Sequence, residues 1–147
     1  MKLIIGLLFA SSVFSSTLEF YGPCNDEPLF KVKSTKSFNS VGEFSVHYLD
    51  QEGIPYVGSD SHLQSVFNTP TGLDAIEVLS DTSMRSHGWI FSVNDVVPSV
   101  YPDKLELGPD DVVKWFYGYV EYENGVWGSE YLPTHLIKPG IFCHRLY

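Results

Sequence analysis

The segment Gly58-Ser59-Asp60-Ser61-His62 holds the residue types of a hydrolase triad within one short stretch. A triad needs nucleophile, base and carboxylate converging on one point, whereas neighbours on an extended segment send their side chains to opposite faces. No Gly-x-Ser-x-Gly elbow accompanies it. The histidines His47, His62, His87, His135 and His144 show no His-x-His or His-x₃-His spacing, so nothing local gathers metal ligands. Asp110-Asp111 pairs two carboxylates, but at a turn and without the ligand spacing of a calcium loop. The chain therefore reads as non-enzymatic, with no metal site and no resident cofactor.

Two residue types remain that could do other work. Cys24 and Cys143 sit near the two ends of the chain. In an exported protein an even count points to a disulfide, here one closing nearly the whole domain; two free thiols, or a metal site shared with His144, are the alternatives. The aromatic residues concentrate in the C-terminal half. Trp89, Phe91 and Phe116 read as core. Trp115, Tyr117 and Tyr119 fall at alternate positions of one segment and so share a face. An amphipathic aromatic row of this kind suits a ligand or partner surface, and these three are the candidate binding residues; a second packed layer under the C-terminal extension is the other reading.

The elements that must position these residues are mostly strands. Gly, Pro, aromatic and β-branched residues are plentiful, and 44% hydrophobic residues suffice for a real core. Charged residues at 18% are too few for a disordered chain. Residues 16–40 read as an N-terminal arm carrying one short edge strand at Phe30-Lys31-Val32-Lys33. Phe44, Val46 and Tyr48 alternate with polar residues and predict a half-buried strand, closed by a turn at Gln51-Glu52-Gly53. Leu63, Ser65 and Phe67 predict another. The helix is expected after Pro70, with Thr71 as its cap, Asp74 in its first turn and Leu73, Ile76 and Leu79 as its apolar stripe. Trp89, Phe91 and Val93 alternate along a strong strand, and Val112 to Tyr117 is apolar on both faces, as a central strand would be. Asn124-Gly125 suits a type I′ turn joining Tyr119–Tyr122 to Val126–Trp127. The class is α+β, a mixed or antiparallel sheet with one short helix packed on it.

The start of the chain bears on compartment. Lys2 precedes the apolar run Leu3–Ala10, and small residues follow. This predicts a cleavable signal peptide over residues 1–15, cut after Ser15 or, in a second register, after Ser12. The run is shorter than the roughly 20 residues a bilayer span requires, so no stable membrane anchor is expected. Export to the periplasm or beyond follows. Nine Lys and Arg against eighteen Asp and Glu give a net charge of −9, which disfavours nucleic acid and anionic membranes as partners.

Three segments in order carry a family resemblance: Thr71-Gly72-Leu73-Asp74-Ala75-Ile76, Gly88-Trp89-Ile90-Phe91-Ser92-Val93-Asn94, and Pro109-Asp110-Asp111-Val112-Val113-Lys114-Trp115-Phe116-Tyr117. Together they resemble the transcobalamin-like C-terminal domain family, small exported domains of β-grasp type. The likeness runs from Val41 to Tyr117. Asp95 stands where the family carries Gly after Asn94, and Asp110 where it carries Gly before Asp111. The resemblance implies a β-grasp-like domain over residues 41–119, with a C-terminal hairpin and tail (residues 120–147) packed on it. In animal vitamin B12 carriers this domain closes over one side of the corrinoid while a helical domain supplies the rest of the site. The expected function is thus an exported binding module for a small apolar or aromatic ligand, cobalamin being the first candidate, or for an exported partner. The alternative is a structural or envelope-interaction protein with no small-molecule ligand.

Overall fold

A computed structural model describes residues 14–143. The expected signal peptide, up to Val13, and the tail from His144 lie outside them. The fold is α+β: a mixed, curled sheet with one helix. Strands β1 (Ser16–Tyr21) and β2 (Phe30–Ser34) form an antiparallel pair, followed by α1 (Val41–Gln51) and the small hairpin β3 (Tyr56–Ser59) and β4 (His62–Val66). Then come β5 (Ile76–Val78), β6 (Ser83–Val93), β7 (Val112–Glu123), β8 (Val126–Trp127) and β9 (Leu132–Pro133). The main sheet runs β2-β1-β7-β6-β5, with β8 and β9 pairing to β7. The β1–β7 contact is parallel and the rest are antiparallel.

The expected arm is a structural centre. Leu18 and Phe20 of β1 are fully buried, and β1 lies between β2 and β7. Its other face carries Glu19, almost entirely buried, which accepts from Lys31 Nζ at 2.7 Å and from the Tyr21 hydroxyl at 2.7 Å. Burial works against the Glu19 carboxylate, but these two partners outweigh it and hold its pKa below the usual range. The Phe30–Lys33 segment does lie at the sheet edge, as alternation and the exposed lysines suggest.

Helix and strand exchange places between two segments. Residues 41–51, expected as a strand, form the helix. Ser40 caps it, its Oγ accepting from Glu43 N–H at 3.1 Å, while Glu43 Oε2 reaches back to Asn39 N–H at 2.8 Å. At the other end Ile54 N–H donates to Leu49 C=O and Gly53 N–H to Asp50 C=O, a Schellman closure with Gly53 at φ 64°. The buried stripe is Val41, Phe44, Ser45, Tyr48 and Leu49, helical spacing that coincides with strand alternation at Phe44 and Tyr48. Conversely, the helix expected after Pro70 is a single 3₁₀ turn, Gly72–Ala75, running into β5. Gly72 sits at φ 61°, Thr71 makes no cap bond, and Ile76 is already extended. Leu73 is 87% exposed, so no apolar stripe meets the sheet there. Leu73→Asp should leave stability within about 0.5 kcal/mol of the parent, whereas Phe44→Asp should place an unpaired charge in the core and unfold the domain. Thermal melting followed by circular dichroism checks both; a large loss from Leu73→Asp would contradict this helix assignment.

The strand expected at Leu63, Ser65 and Phe67 is β4, ending at Val66 because Phe67 and Asn68 turn into the left-handed region at φ 55° and 58°. The hairpin is as expected: Asn124 and Gly125 at φ 51° and 92° join β7 to β8, pairing Tyr122 with Trp127. Cys24 and Cys143 form a disulfide, the first of the three readings of this pair. It pins the C-terminal segment beside the end of β1. Phe142, next to it, packs edge-on against His87 and Tyr117, with ring centroids 4.8 and 5.4 Å away. No helix among the described residues is long and apolar enough to cross a membrane.

Candidate functional site

The long pair β6–β7 organises the site. Its register sets Phe91 against Trp115, Trp89 against Tyr117 and His87 against Tyr119. All six belong to one face, as period-two geometry requires, and that face is the core. Trp115, Tyr117 and Tyr119, the expected ligand row, are 2%, 0% and 5% exposed. Trp115 stacks on Phe20 and donates its indole N–H to Ser45 Oγ at 2.8 Å, and Ser45 donates in turn to Val41 C=O at 2.7 Å. Tyr117 donates to Pro70 C=O at 2.9 Å, and burial pushes its phenol pKa well up. The row is packing: α1 meets Trp115 through Ser45, while Phe142 of the C-terminal segment packs on Tyr117, the second packed layer of the other reading, and Tyr119 lies against His87 and under Arg85. Phe116, expected in the core with Trp89 and Phe91, faces the other side, half-buried.

The other chemical candidates disperse. Ser59 and Ser61 hydroxyls bond each other at 2.9 Å in the β3–β4 turn, while His62 opens β4 as an exposed residue. His47 lies beside Lys36 Nζ at 3.5 Å. Asp111 accepts from Gly108 N–H and from Asn94 Nδ2 and so orders a turn, and Asp110 accepts from Ser15 N–H. Among the described residues no three His, Cys, Asp or Glu converge as metal ligands. His87 is buried, with Nδ1 on Thr134 Oγ1 at 2.9 Å and Nε2 without a hydrogen bond, 3.6 Å from Glu77. Burial lowers its pKa more than Glu77 raises it, so the ring is neutral.

What the sequence-based reading missed is the β6–β7 connection. Val96-Val97-Pro98-Ser99-Val100-Tyr101 reads as a plain loop, yet it exposes Val96, Val97, Val100 and Tyr101, with Tyr101 at 69%. Four apolar residues in a loop rich in Pro and Ser were the available signal. Between this loop and the β3–β4 turn lies an open groove of about 470 Å³. Trp89, Ile90, Val97, Val100, Tyr101 and Pro102 give it apolar walls, with Ser61, His62 and Ser86 supplying polar atoms at its margin. The volume lies within the range of small-ligand sites. The walls carry no carboxylate, ammonium or guanidinium, so recognition there would rest on apolar contact and main-chain hydrogen bonds. No protein-family model, curated protein or solved structure matches this chain.

Proposed function

We propose that this protein is an exported, non-enzymatic binding module of β-grasp type, which takes its ligand in the groove between β6 and the Val96–Pro102 loop. The observation that carries the reading is that groove: the apolar side chains of the Val96–Pro102 loop held open to solvent beside a core that buries Phe91, Trp115 and Tyr117. The resemblance to the transcobalamin-like family is supported by topology, since the β2-β1-β7-β6 order with β1 and β7 parallel lets the sheet grasp α1. It is supported also by Asp95 and Asp110, at φ 66° and 62°, left-handed positions where that family carries Gly. The apolar leader-like start and the Cys24–Cys143 disulfide support export.

The ligand is an apolar small molecule or an apolar segment of an exported partner. Cobalamin remains the first small molecule to try, and this groove would cover one side of it only. Titration of the mature protein with cyanocobalamin and with anilinonaphthalene sulfonate, followed calorimetrically and by Trp fluorescence, tests the reading. Binding of either probe should weaken roughly tenfold or more on Val100→Asp, with unchanged melting because Val100 is 45% exposed. Binding that ignores Val100→Asp would move the site elsewhere. No binding of either would end the small-molecule reading and favour a structural or envelope-interaction role.

A further inference from the structure

We propose that the groove binds an extended peptide, which adds as a strand to the open edge of β6; this rests on the groove being the binding site and names its ligand class. Six consecutive residues of β6, Ser86 to Phe91, border the groove. Alternate strand side chains leave on opposite faces, so a cavity bordered by consecutive residues runs along the edge of the strand.

The hydrogen bonding at each end of β6 says which main-chain groups face that edge. Leu79 N–H donates to Ser83 C=O on the β5 side, and Val93 exchanges both its bonds with Val96 on the same side, while Asn94 N–H donates to Val112 C=O across on β7. The register with β7 is unbroken from Ser83 to Val93. Odd-numbered residues therefore point their N–H and C=O away from β7. β5 covers this edge as far as His87, whose N–H the non-hydrogen-bonded Ile76–Ser86 pair turns toward Ala75 C=O, and Val96 covers it again at Val93. Among the described residues, no strand and no loop main chain pairs there with Trp89 or Phe91. The N–H and C=O groups of Trp89 and Phe91 thus lie along about 7 Å of strand with no partner strand, and an unpaired edge is a template for one more strand.

The surroundings select the occupant. The β3–β4 turn flanks the edge on one side and the Val96–Pro102 loop on the other. Two copies of a chain of net charge −9 repel each other, which disfavours the edge of a second copy as the occupant. The walls offer apolar pockets to alternate side chains, and the chain's net charge of −9 favours a peptide with neutral or basic flanks. The peptide is therefore a segment of another polypeptide with alternating apolar residues, such as an exported partner's terminus.

The probe is the heptapeptide acetyl-KVTVYVK-amide, titrated into the full mature protein. In the free protein the amide protons of Trp89 and Phe91 should exchange faster than those of Gly88, Ile90 and Ser92, which bond β7. The peptide should slow the first two by about tenfold or more, the effect of new main-chain bonds, and leave the others unchanged. Two analogues, N-methylated at odd or at even positions, discriminate further: one should lose binding and the other keep it, because only one set of N–H groups faces β6. Gly88→Ile should leave melting unchanged, since a Cβ at Gly88 meets no atom within 4 Å, and should weaken the peptide about tenfold by filling the groove. Equal binding of both N-methylated analogues would overturn strand addition while leaving the groove as the site. Binding unaffected by Gly88→Ile would overturn the groove itself. No binding at millimolar peptide, or loss of the odd–even exchange pattern through self-association, would likewise overturn the proposal.

Discussion

Reducing the Cys24–Cys143 disulfide should lower the stability of the folded domain by about 4–5 kcal/mol, the loop-closure entropy of a crosslink spanning on the order of 120 residues. The residues are 119 apart in sequence, so the reduced, unfolded chain regains nearly all its freedom. The native state holds a second contribution. The disulfide anchors Phe142 against His87 and Tyr117, and the tail carrying it follows Thr134, which is fully buried and bonds His87 Nδ1. Once reduced, that segment is free to peel from the sheet and wet a buried, neutral imidazole. The expected shift in melting temperature is roughly 10–20 °C for a domain of this size. Urea unfolding with and without reductant measures it, and a Cys24→Ser, Cys143→Ser double variant should match the reduced protein. Coincident unfolding curves would mean that the two ends are held by packing alone.

Trp115→Ala should be the most damaging single truncation, costing about 3–5 kcal/mol as expected for a buried aromatic. Trp115 is 2% exposed, stacks on Phe20 at 6.1 Å between centroids, and touches Phe91 across the β6–β7 pair. Its removal opens a cavity where three elements meet: β1, α1 and β7. The indole N–H adds a smaller effect. Trp115→Phe keeps most of the packing but loses the bond to Ser45 Oγ, which still donates to Val41 C=O, so about 1 kcal/mol is expected. The contrast between the two variants separates packing from hydrogen bonding. Were Trp115 a ligand contact instead, Trp115→Ala would leave urea unfolding near that of the parent and change only binding.

Much of the sheet was legible along the chain because its signals are local and long. Trp89, Phe91 and Val93 alternate in the second half of β6, and Val112 to Tyr117 of β7 is mostly apolar on both faces, whereas Ser83 to His87, the first half of β6, carries no such pattern. Asn124-Gly125 encodes its own turn, since only such residues adopt two successive left-handed conformations cheaply. The lysines of β2 mark an edge. The helix was misread for the opposite reason. Phe44 and Tyr48 satisfy both periods in so short a window, and the deciding residues stand outside it: Ser40 and Glu43 before, Gly53 after. After Pro70 the cap-like Thr71 and the spacing of Leu73, Ile76 and Leu79 looked helical, but Ile76 and Val78 had Arg85 and its neighbours on β6 to pair with, and a short helix without tertiary support does not compete.

By itself, then, the sequence determined the acidic charge, the α+β class, the strongest strands and hairpin, the cysteine pair available for a disulfide, and the fact that Trp115, Tyr117 and Tyr119 share one side. These follow from composition and from backbone geometry acting within a few residues. The tertiary structure decided which side that is. Alternation places residues on a common face, but burial depends on what arrives to cover it: Ser45 of α1, 70 residues earlier, at Trp115, and Phe142 of the C-terminal segment at Tyr117. The same holds for β1, whose central place depends on pairing with β7 almost a hundred residues away, and for the open edge of β6, which exists only because β5 stops at Ile76 opposite Ser86. An unpaired strand edge is a property of its missing neighbour, and no local pattern in β6 records it.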